Sequence, residues 1–156
     1  MSVHRLAWRC VLAAGLLAAV SVHAQTPEGM RSVPTRYAFD ALLGRVERAV
    51  EQNRLGVVAI ASASRGAASR GVKIPGNAVV MVFRNDVAVQ LLSASVAAGY
   101  EAPLRIYVTE DTDGRATLSY RVPSAVFAPY RNAKVDELAR QLDATLEKIV
   151  KDAGGG

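Results

Sequence analysis

The sequence is poor in the residues on which most enzyme chemistry depends: its 156 residues include two histidines, one cysteine and one tryptophan. All four lie within the first 24 positions, at His4, Trp8, Cys10 and His23. The rest of the chain therefore has no imidazole, thiol or indole group. What these absences exclude depends on whether the first 24 residues stay attached to the protein.

The N-terminal segment has the organisation of a secretion signal. Basic residues come first, Cys10–Val20 is a run of apolar residues and glycine, and Val22-His23-Ala24 has the small residues of a cleavage site. A membrane-spanning helix needs about 20 apolar residues, so this run is too short to favour an uncleaved anchor. We therefore predict a signal peptide over residues 1–24, cleavage near Ala24, a periplasmic or secreted product, and no stable membrane insertion after processing.

Removal of the leader excludes several kinds of chemistry. A zinc or copper site normally uses imidazole or thiolate ligands, and Ser-His-Asp or Cys-His catalysis needs a histidine. No disulfide can form, so packing must stabilise the fold. Because Arg5 and Arg9 leave with the leader, 17 of the 19 basic residues remain against 14 acidic residues, a net charge of +3. This small charge does not indicate nucleic-acid binding, and we predict no metal and no cofactor.

Hydrophobic periodicity predicts three main helices in the mature chain. Apolar side chains recur at helical spacing from about Arg36 to Asn53, from Asn85 or Asp86 to about Ala97, and from about Val135 until Gly154–Gly156 stop the last helix. The apolar faces of the first and last helices are predicted to be Phe39, Leu42, Leu43, Val46, Ala49 and Val50, and Val135, Leu138, Ala139, Leu142, Leu146, Ile149 and Val150. Gly44 lies inside the first of these helices. Glycine there costs up to about 1 kcal/mol relative to alanine, which indicates close packing at that position.

Alternating and continuous apolar runs predict five strands. These are Met30–Val33, Gly56–Ala63, Asn77–Phe83, Leu104–Glu110 and Ala116–Arg121. The last two form a hairpin, in which Leu104, Ile106 and Val108 are predicted to point inward. The third strand is apolar at consecutive positions, which is typical of a central strand that is covered on both faces.

The order of these elements predicts an α+β fold. It is a two-layer sandwich with a mixed or antiparallel sheet of about five strands and three main helices. We expect a single domain over residues 31–152, preceded by a flexible start at residues 25–30 and followed by a flexible tail at residues 153–156.

The middle of the chain carries a recognisable series of motifs. Val79–Tyr120 runs through VVMVFRND, a helix, GYEAPLRIYVTED, a DG turn and ATLSY, and it resembles the bacterial family catalogued as domain of unknown function 302. Members typically show an apolar strand ending in a Phe-Gly-Asn-Pro-like corner, then Gly-x-x-x-Pro-Leu, an acidic strand end, a turn and Ser-Tyr. The matching positions are Phe83, Asn85, Gly99, Pro103, Leu104, Val108, Glu110, Asp111, Gly114, Ser119 and Tyr120.

This resemblance covers about residues 31–152 and implies a compact α+β domain, often secreted and often dimeric, without an established reaction. The chain departs from the family pattern in two places. Arg84 and Asp86 stand where members often have Gly and Pro, and Ile60–Ser64 replaces an Asp-His-like pair found in many members. Any chemistry that relatives perform with that pair is not expected here.

The preferred candidate site is the corner after the third strand. Arg84, Asn85 and Asp86 follow that strand at its C-terminal end, where open sheets often place ligand-contacting groups. Tyr107 and Tyr120 are candidate hydrogen-bonding neighbours across the sheet. The alternative interpretation is that Asn85 or Asp86 caps the following helix.

A second candidate is an anion-binding loop. Arg65, Arg70 and Lys73 are interleaved with Gly66 and Gly71, so backbone amides and three cations could together bind phosphate or carboxylate. The loop does not have the spacing of a phosphate-binding P-loop, and the alternative is a solvated basic connector.

Two further groups fit structural roles better than metal binding. Glu110, Asp111 and Asp113 have the density of a calcium loop, but Asp-Gly by itself favours a hairpin turn. Met30 and Met81 could bind a soft metal or haem iron. Met81 lies inside an apolar strand, so we expect it to pack in the core.

Three hypotheses about function remain open at this stage. The first is a non-enzymatic periplasmic binding or interaction module, a homodimer that holds a small or apolar ligand or a periplasmic partner protein. The second is an enzyme that uses Tyr, Arg and carboxylate groups near Arg84–Asp86. The third is a structural or envelope-stress protein. A flat apolar face would favour the first hypothesis, and an enclosed cleft containing those side chains would favour the second.

Overall fold

A computed structural model describes residues 26–155, so the predicted leader at residues 1–24 lies outside the described residues. Within residues 26–155 the chain forms five strands and five α-helices. In chain order they are β1 Met30–Pro34, α1 Phe39–Gln52, β2 Gly56–Ala61, α2 Ala63–Ala68, β3 Asn77–Phe83, α3 Asn85–Ala94, β4 Leu104–Glu110, β5 Ala116–Arg121, α4 Pro123–Phe127 and α5 Ala133–Gly154.

The strands form one sheet in the order β1-β5-β4-β3-β2, and every neighbouring pair is antiparallel. This confirms the predicted α+β sandwich and resolves the choice between a mixed and an antiparallel sheet. The strand β3 was predicted to be the central strand, but β4 is central, and β3 lies between β4 and the edge strand β2.

The helices pack on one face of the sheet and bury the apolar stripes that the sequence predicts. Helices α1 and α5 contribute most of this layer. Their buried residues are Phe39, Leu42, Leu43, Val46, Ala49 and Val50 on α1, and Val135, Leu138, Ala139, Leu142, Leu146, Ile149, Val150 and Ala153 on α5. No helix within residues 26–155 has the length and apolarity needed to span a bilayer.

Alternate residues of the strands complete the core. The side chains that face the helices are buried on all three interior strands: Ala78, Val80 and Val82; Leu104, Ile106 and Val108; Ala116, Leu118 and Tyr120. The residues between them point to the opposite side of the sheet, because successive side chains of a strand alternate between its faces. We call this opposite side the outer face.

Several predicted boundaries shift for local reasons. Helix α1 begins at Phe39 because the chain before it still pairs with β5: the Thr35 amide donates to the Ala116 carbonyl, and the Ala116 amide donates to the Tyr37 carbonyl. Helix α2 begins at Ala63, where a strand was predicted to end, because the Ser62 hydroxyl accepts a hydrogen bond from the Arg65 amide and caps the helix.

Two further expectations are wrong. The predicted tail is partly ordered, since α5 continues to Gly154 and Ala153 is fully buried. Gly44 is not a site of close packing: a methyl group there would lie 3.5 Å from the Nη1 atom of Arg48, an ordinary van der Waals contact.

Candidate functional site

The outer face of β2 and β3 carries a group of uncharged, mainly apolar side chains. Strand pairing places Ala61, Val79 and Tyr107 in one row across the sheet, and it places Ala59 beside Met81 in the next row, which Arg105 of β4 continues. Both alanines are exposed, Val79 and Met81 are half-buried, and 43% of Tyr107 is exposed. We call the five uncharged residues, Ala59, Ala61, Val79, Met81 and Tyr107, the apolar patch. The expectation that Met81 packs in the core is therefore wrong, because its strand position directs it to the outer face.

A pocket of about 320 Å³ lies beside the patch, where β4 begins and β5 ends. The pairing of Ile106 with Tyr120 sets Arg105 and Arg121 opposite one another at the next position, and both line this pocket. We call it the arginine pocket. The other residues that line it are Met30, Val79, Glu101, Leu104, Tyr107, Ser119, Tyr120 and Val126.

The two arginines of this pocket form no ion pair with a carboxylate of residues 26–155, although Glu101 also lines the pocket. Neither takes part in the five ion pairs of this part of the chain. The Nε atom of Arg121 donates to the Glu28 carbonyl over 3.2 Å, and Glu101 accepts a hydrogen bond from the Tyr130 hydroxyl over 3.2 Å. Like charges directly opposite on neighbouring strands destabilise a sheet, so this pair costs stability unless an anion lies between them.

The two tyrosines predicted as site residues both reach the arginine pocket, from different sides of the sheet. Tyr107 belongs to the outer face, whereas Tyr120 belongs to the helix-facing side and is only 8% exposed. Burial raises the pKa of Tyr120 above its ordinary value, and the nearby carboxylates of Glu147 and Asp143 add to this effect. Tyr120 is therefore a neutral phenol at physiological pH.

The structure places Arg84, Asn85 and Asp86 apart from those tyrosines. Arg84 and Asp86 bind each other through two hydrogen bonds, from Nε to Oδ1 at 2.8 Å and from Nη2 to Oδ2 at 3.0 Å. This contact lowers the pKa of Asp86 and raises that of Arg84. The alternative interpretation placed the N-cap of α3 at Asn85 or Asp86. In the structure the N-cap residue is Arg84.

The cavity beside this corner is too small for most ligands. It is lined by Arg84 and by apolar side chains such as Val87, Leu91 and Phe127, and its volume is about 30 Å³. A single water needs about 10–15 Å³ of such space, so the cavity has room for only two or three waters. Leu104 lines both this cavity and the arginine pocket, and thus lies between the two.

The predicted anion-binding loop is not built for an anion. The amides of Gly66 and Gly71 donate to the carbonyls of Ser62 and Ala68, so the two glycine N–H groups are already used. Of the three cations, Arg65 lies 3.8 Å from Asp40 in a solvent-exposed ion pair. Only Lys73 lines the shallow depression beside the loop, whereas Arg65 and Arg70 do not.

The carboxylates of the β4–β5 hairpin are engaged separately. Glu110 accepts a hydrogen bond from the Gly76 amide, Asp111 accepts one from the Thr117 hydroxyl, and Asp113 pairs with Arg115. The pKa of Asp113 is lowered mainly by its side-chain hydrogen bond with Arg115. Each carboxylate therefore stabilises the turn or its neighbour.

The comparison with known families agrees with this fold. Residues 31–153 match the family described as "Domain of unknown function DUF302". The chain belongs to this family. The DUF302 match confirms the resemblance drawn from the motifs between Val79 and Tyr120.

A solved DUF302 structure is similar to this one. The crystal structure of an uncharacterised conserved DUF302 protein from Bacillus stearothermophilus superimposes with a TM-score of 0.72. The similarity covers 81% of this chain and 98% of that chain at 16% sequence identity, so it supports the fold alone. No curated protein is similar enough to this chain to be matched.

The sequence interpretation missed Arg105 and Arg121, although a signal for them was present. The hairpin was predicted with Leu104, Ile106 and Val108 pointing inward, which leaves Arg105 outward. Counting outward from the Asp111–Gly114 turn in an antiparallel register sets Arg105 opposite Arg121. Reading the register for charge as well as for apolar alternation would have found the pair.

Proposed function

We propose that this DUF302 protein is an exported, non-enzymatic binding module that forms a homodimer through the apolar patch on its outer face. The observation that supports this proposal best is the patch itself. A flat apolar face was the feature expected of a binding module, and contiguous exposed apolar surface commonly marks an interaction site. The predicted leader supports export of the protein.

The composition of β3 favours a second layer over the patch. Its run of consecutive apolar residues is typical of a strand that is buried on both faces. The helices cover Ala78, Val80 and Val82, whereas Val79 and Met81 stay half-exposed on the other side. A partner that packs on this side would complete the burial that the sequence pattern indicates.

A second copy of the chain fits the patch well. In a two-fold symmetric dimer the same surface meets itself, so a charged surface would repel its copy. The five residues of the apolar patch are uncharged, and the small side chains of Ala59 and Ala61 allow close approach of a second backbone. Arg105 lies next to Met81 at the border of the patch, so the two copies must meet around Ala61 and Val79 rather than around Arg105. The patch is therefore compatible with its own copy.

Contact through the face is favoured over pairing of strand edges. The edge strand β2 has an irregular register between Val57 and Ala59, where Val58 is left as a bulge that is 55% exposed. Bulges twist an edge strand and protect it from pairing with another chain. The other edge strand, β1, carries Arg31 and ends at Pro34. A charged residue and a proline on an edge strand likewise oppose its pairing with another chain.

The enzyme hypothesis gains no support from the corner at residues 84–86. Arg84 and Asp86 bind each other, and the cavity beside them, with a volume of about 30 Å³, is too small for a substrate. An enclosed cleft with free Tyr, Arg and carboxylate groups was the feature expected of an enzyme.

Sedimentation velocity of the mature chain, beginning at Gln25, tests this proposal. We expect a dimer for the natural sequence and a monomer for Ala61→Lys, because the substitution places a charge in the apolar patch of both copies. Position 61 is exposed, so the variant should fold with an unchanged circular dichroism spectrum.

A matched control addresses another exposed apolar surface, at the end of α3. Val96 is 79% exposed there, so Val96→Lys should leave the dimer intact. A natural protein that sediments as a monomer, or a dimer that is lost in Val96→Lys but kept in Ala61→Lys, would overturn the proposed interface.

A further inference from the structure

We infer that the arginine pocket binds a small monoanionic amphiphile: a carboxylate held between Arg105 and Arg121, with a short apolar body along the wall of the pocket. The inference rests on the proposed role of the outer face as a binding surface, but not on dimer formation.

The charge of the pocket selects an anion. Arg105 and Arg121 are set opposite one another, and neither forms an ion pair within residues 26–155. Guanidinium groups present planar sets of N–H donors that match the two oxygens of a carboxylate. An anion between them would remove the repulsion of two like charges on neighbouring strands, and it would use the guanidinium donors other than Arg121 Nε, which is engaged by the Glu28 carbonyl.

Glu101, the third charged residue that lines the pocket, limits the charge of the ligand. Glu101 also lines the pocket, and its Oε1 atom accepts a hydrogen bond from the Tyr130 hydroxyl. Two guanidinium groups and one carboxylate give the lining a net charge of +1. A monoanion neutralises this charge, whereas a dianion such as a phosphate monoester would leave an excess of negative charge beside Glu101.

The remaining wall is apolar and the space is limited. Met30, Val79, Leu104 and Val126 contribute aliphatic surface, and the hydroxyl groups of Ser119 and the tyrosines lie among them. A volume of about 320 Å³ is at the lower end of the range for ligand pockets. The pocket therefore suits a short aliphatic or aromatic carboxylate and not a peptide or a full lipid.

Titration of the ¹⁵N-labelled mature protein with octanoate, followed by NMR, tests this assignment. We expect saturable shifts at β4 and β5 residues that line the pocket. Acetate keeps the carboxylate without the chain, and octanol keeps the chain without the charge. Each should bind at least about tenfold more weakly than octanoate, because each lacks one half of the recognition.

Charge-neutralising variants locate the anion site. Arg105→Gln and Arg121→Gln should each weaken octanoate about tenfold to a hundredfold, as expected for loss of a charge-assisted hydrogen bond. Arg140→Gln removes the same charge from an exposed position of α5 and should leave the affinity unchanged.

Three results would overturn the assignment. They are no saturable binding of octanoate, equal binding of octanol or acetate, and equal weakening by Arg140→Gln and Arg105→Gln. Sedimentation of the natural protein reports its assembly independently of octanoate. Failure of the dimer and failure of the ligand site are therefore distinguishable.

Discussion

Arg45 joins the two longest helices, and its replacement by methionine tests how much this one contact stabilises the fold. The side chain extends from α1 to the end of α5, where Nε donates to the Ala153 carbonyl at 2.6 Å and Nη2 donates to the Asp152 carbonyl at 2.9 Å. The last four carbonyls of a helix have no partner within the helix. The guanidinium carbon also lies 4.2 Å from the centre of the Tyr37 ring.

These contacts set the size of the effect. Hydrogen bonds from a charged donor contribute about 1.5–3 kcal/mol each, and a cation at a helix C-terminus or over an aromatic ring adds about 0.5–1 kcal/mol. Because Arg45 is partly exposed and these contributions are not additive, we expect Arg45→Met to lower the free energy of unfolding by about 2–4 kcal/mol. Methionine retains the aliphatic stem, so the loss reports the guanidinium contacts.

Urea unfolding at a fixed protein concentration measures this change, since association would make stability depend on concentration. Arg48→Met is a matched control, because Arg48 is exposed on the same helix and its replacement should cost less than about 0.5 kcal/mol. Equal losses in the two variants, or a loss below about 1 kcal/mol for Arg45→Met, would refute the argument.

Two other substitutions test the stability of α1 and its contact with the end of α5 at acid pH. Gly44→Ala should raise the free energy of unfolding by about 0.5–1 kcal/mol, because alanine favours the helix and its methyl group has space; a lower urea midpoint would contradict this. Asp152 accepts hydrogen bonds from Lys148 and Asn53, and mainly the Lys148 contact lowers its pKa. A carboxylate with a lowered pKa stabilises the fold above its unfolded pKa of about 3.9, and this stability is lost as the pH falls through the folded value. Asp152→Asn should therefore flatten the loss of stability between about pH 5 and pH 2, and an unchanged acid dependence would contradict the role of this ion pair.

The helical layer could be predicted from the sequence because its signals are local. The residues predicted on one face of α1, from Phe39 to Val50, are those that the structure buries, and for α5 the structure adds only Ala153 to the predicted set. A continuous apolar stripe on a long helix has few alternative placements. The contact of Arg45 with the end of α5 could not be predicted, since it joins residues more than 100 positions apart, about which local periodicity carries no information.

The candidate site could be predicted only in part. Tyr107 and Tyr120 were identified as site residues and do line one pocket, but Arg84 and Asp86 were assigned to it and instead pair with each other. Arg84 and Asp86 are two positions apart at the start of a helix, and this spacing lets their side chains bind each other. The presence of polar residues at the corner does not by itself show whether they are free to bind a ligand. The apolar sequence of β3 predicts that both faces of this strand are covered. It does not identify the partner that covers the outer face.

Hydroxyl-radical footprinting of the mature protein, at concentrations above and below dimer dissociation, tests the role of the outer face most directly. Met81 and Tyr107 belong to the apolar patch, whereas Tyr100 is 85% exposed near the end of α3. We predict that Met81 and Tyr107 are labelled several-fold less in the dimer and that Tyr100 is labelled equally in both states. A dimer in which Met81 stays fully reactive, or in which Tyr100 is protected instead, would contradict the proposed function of this face.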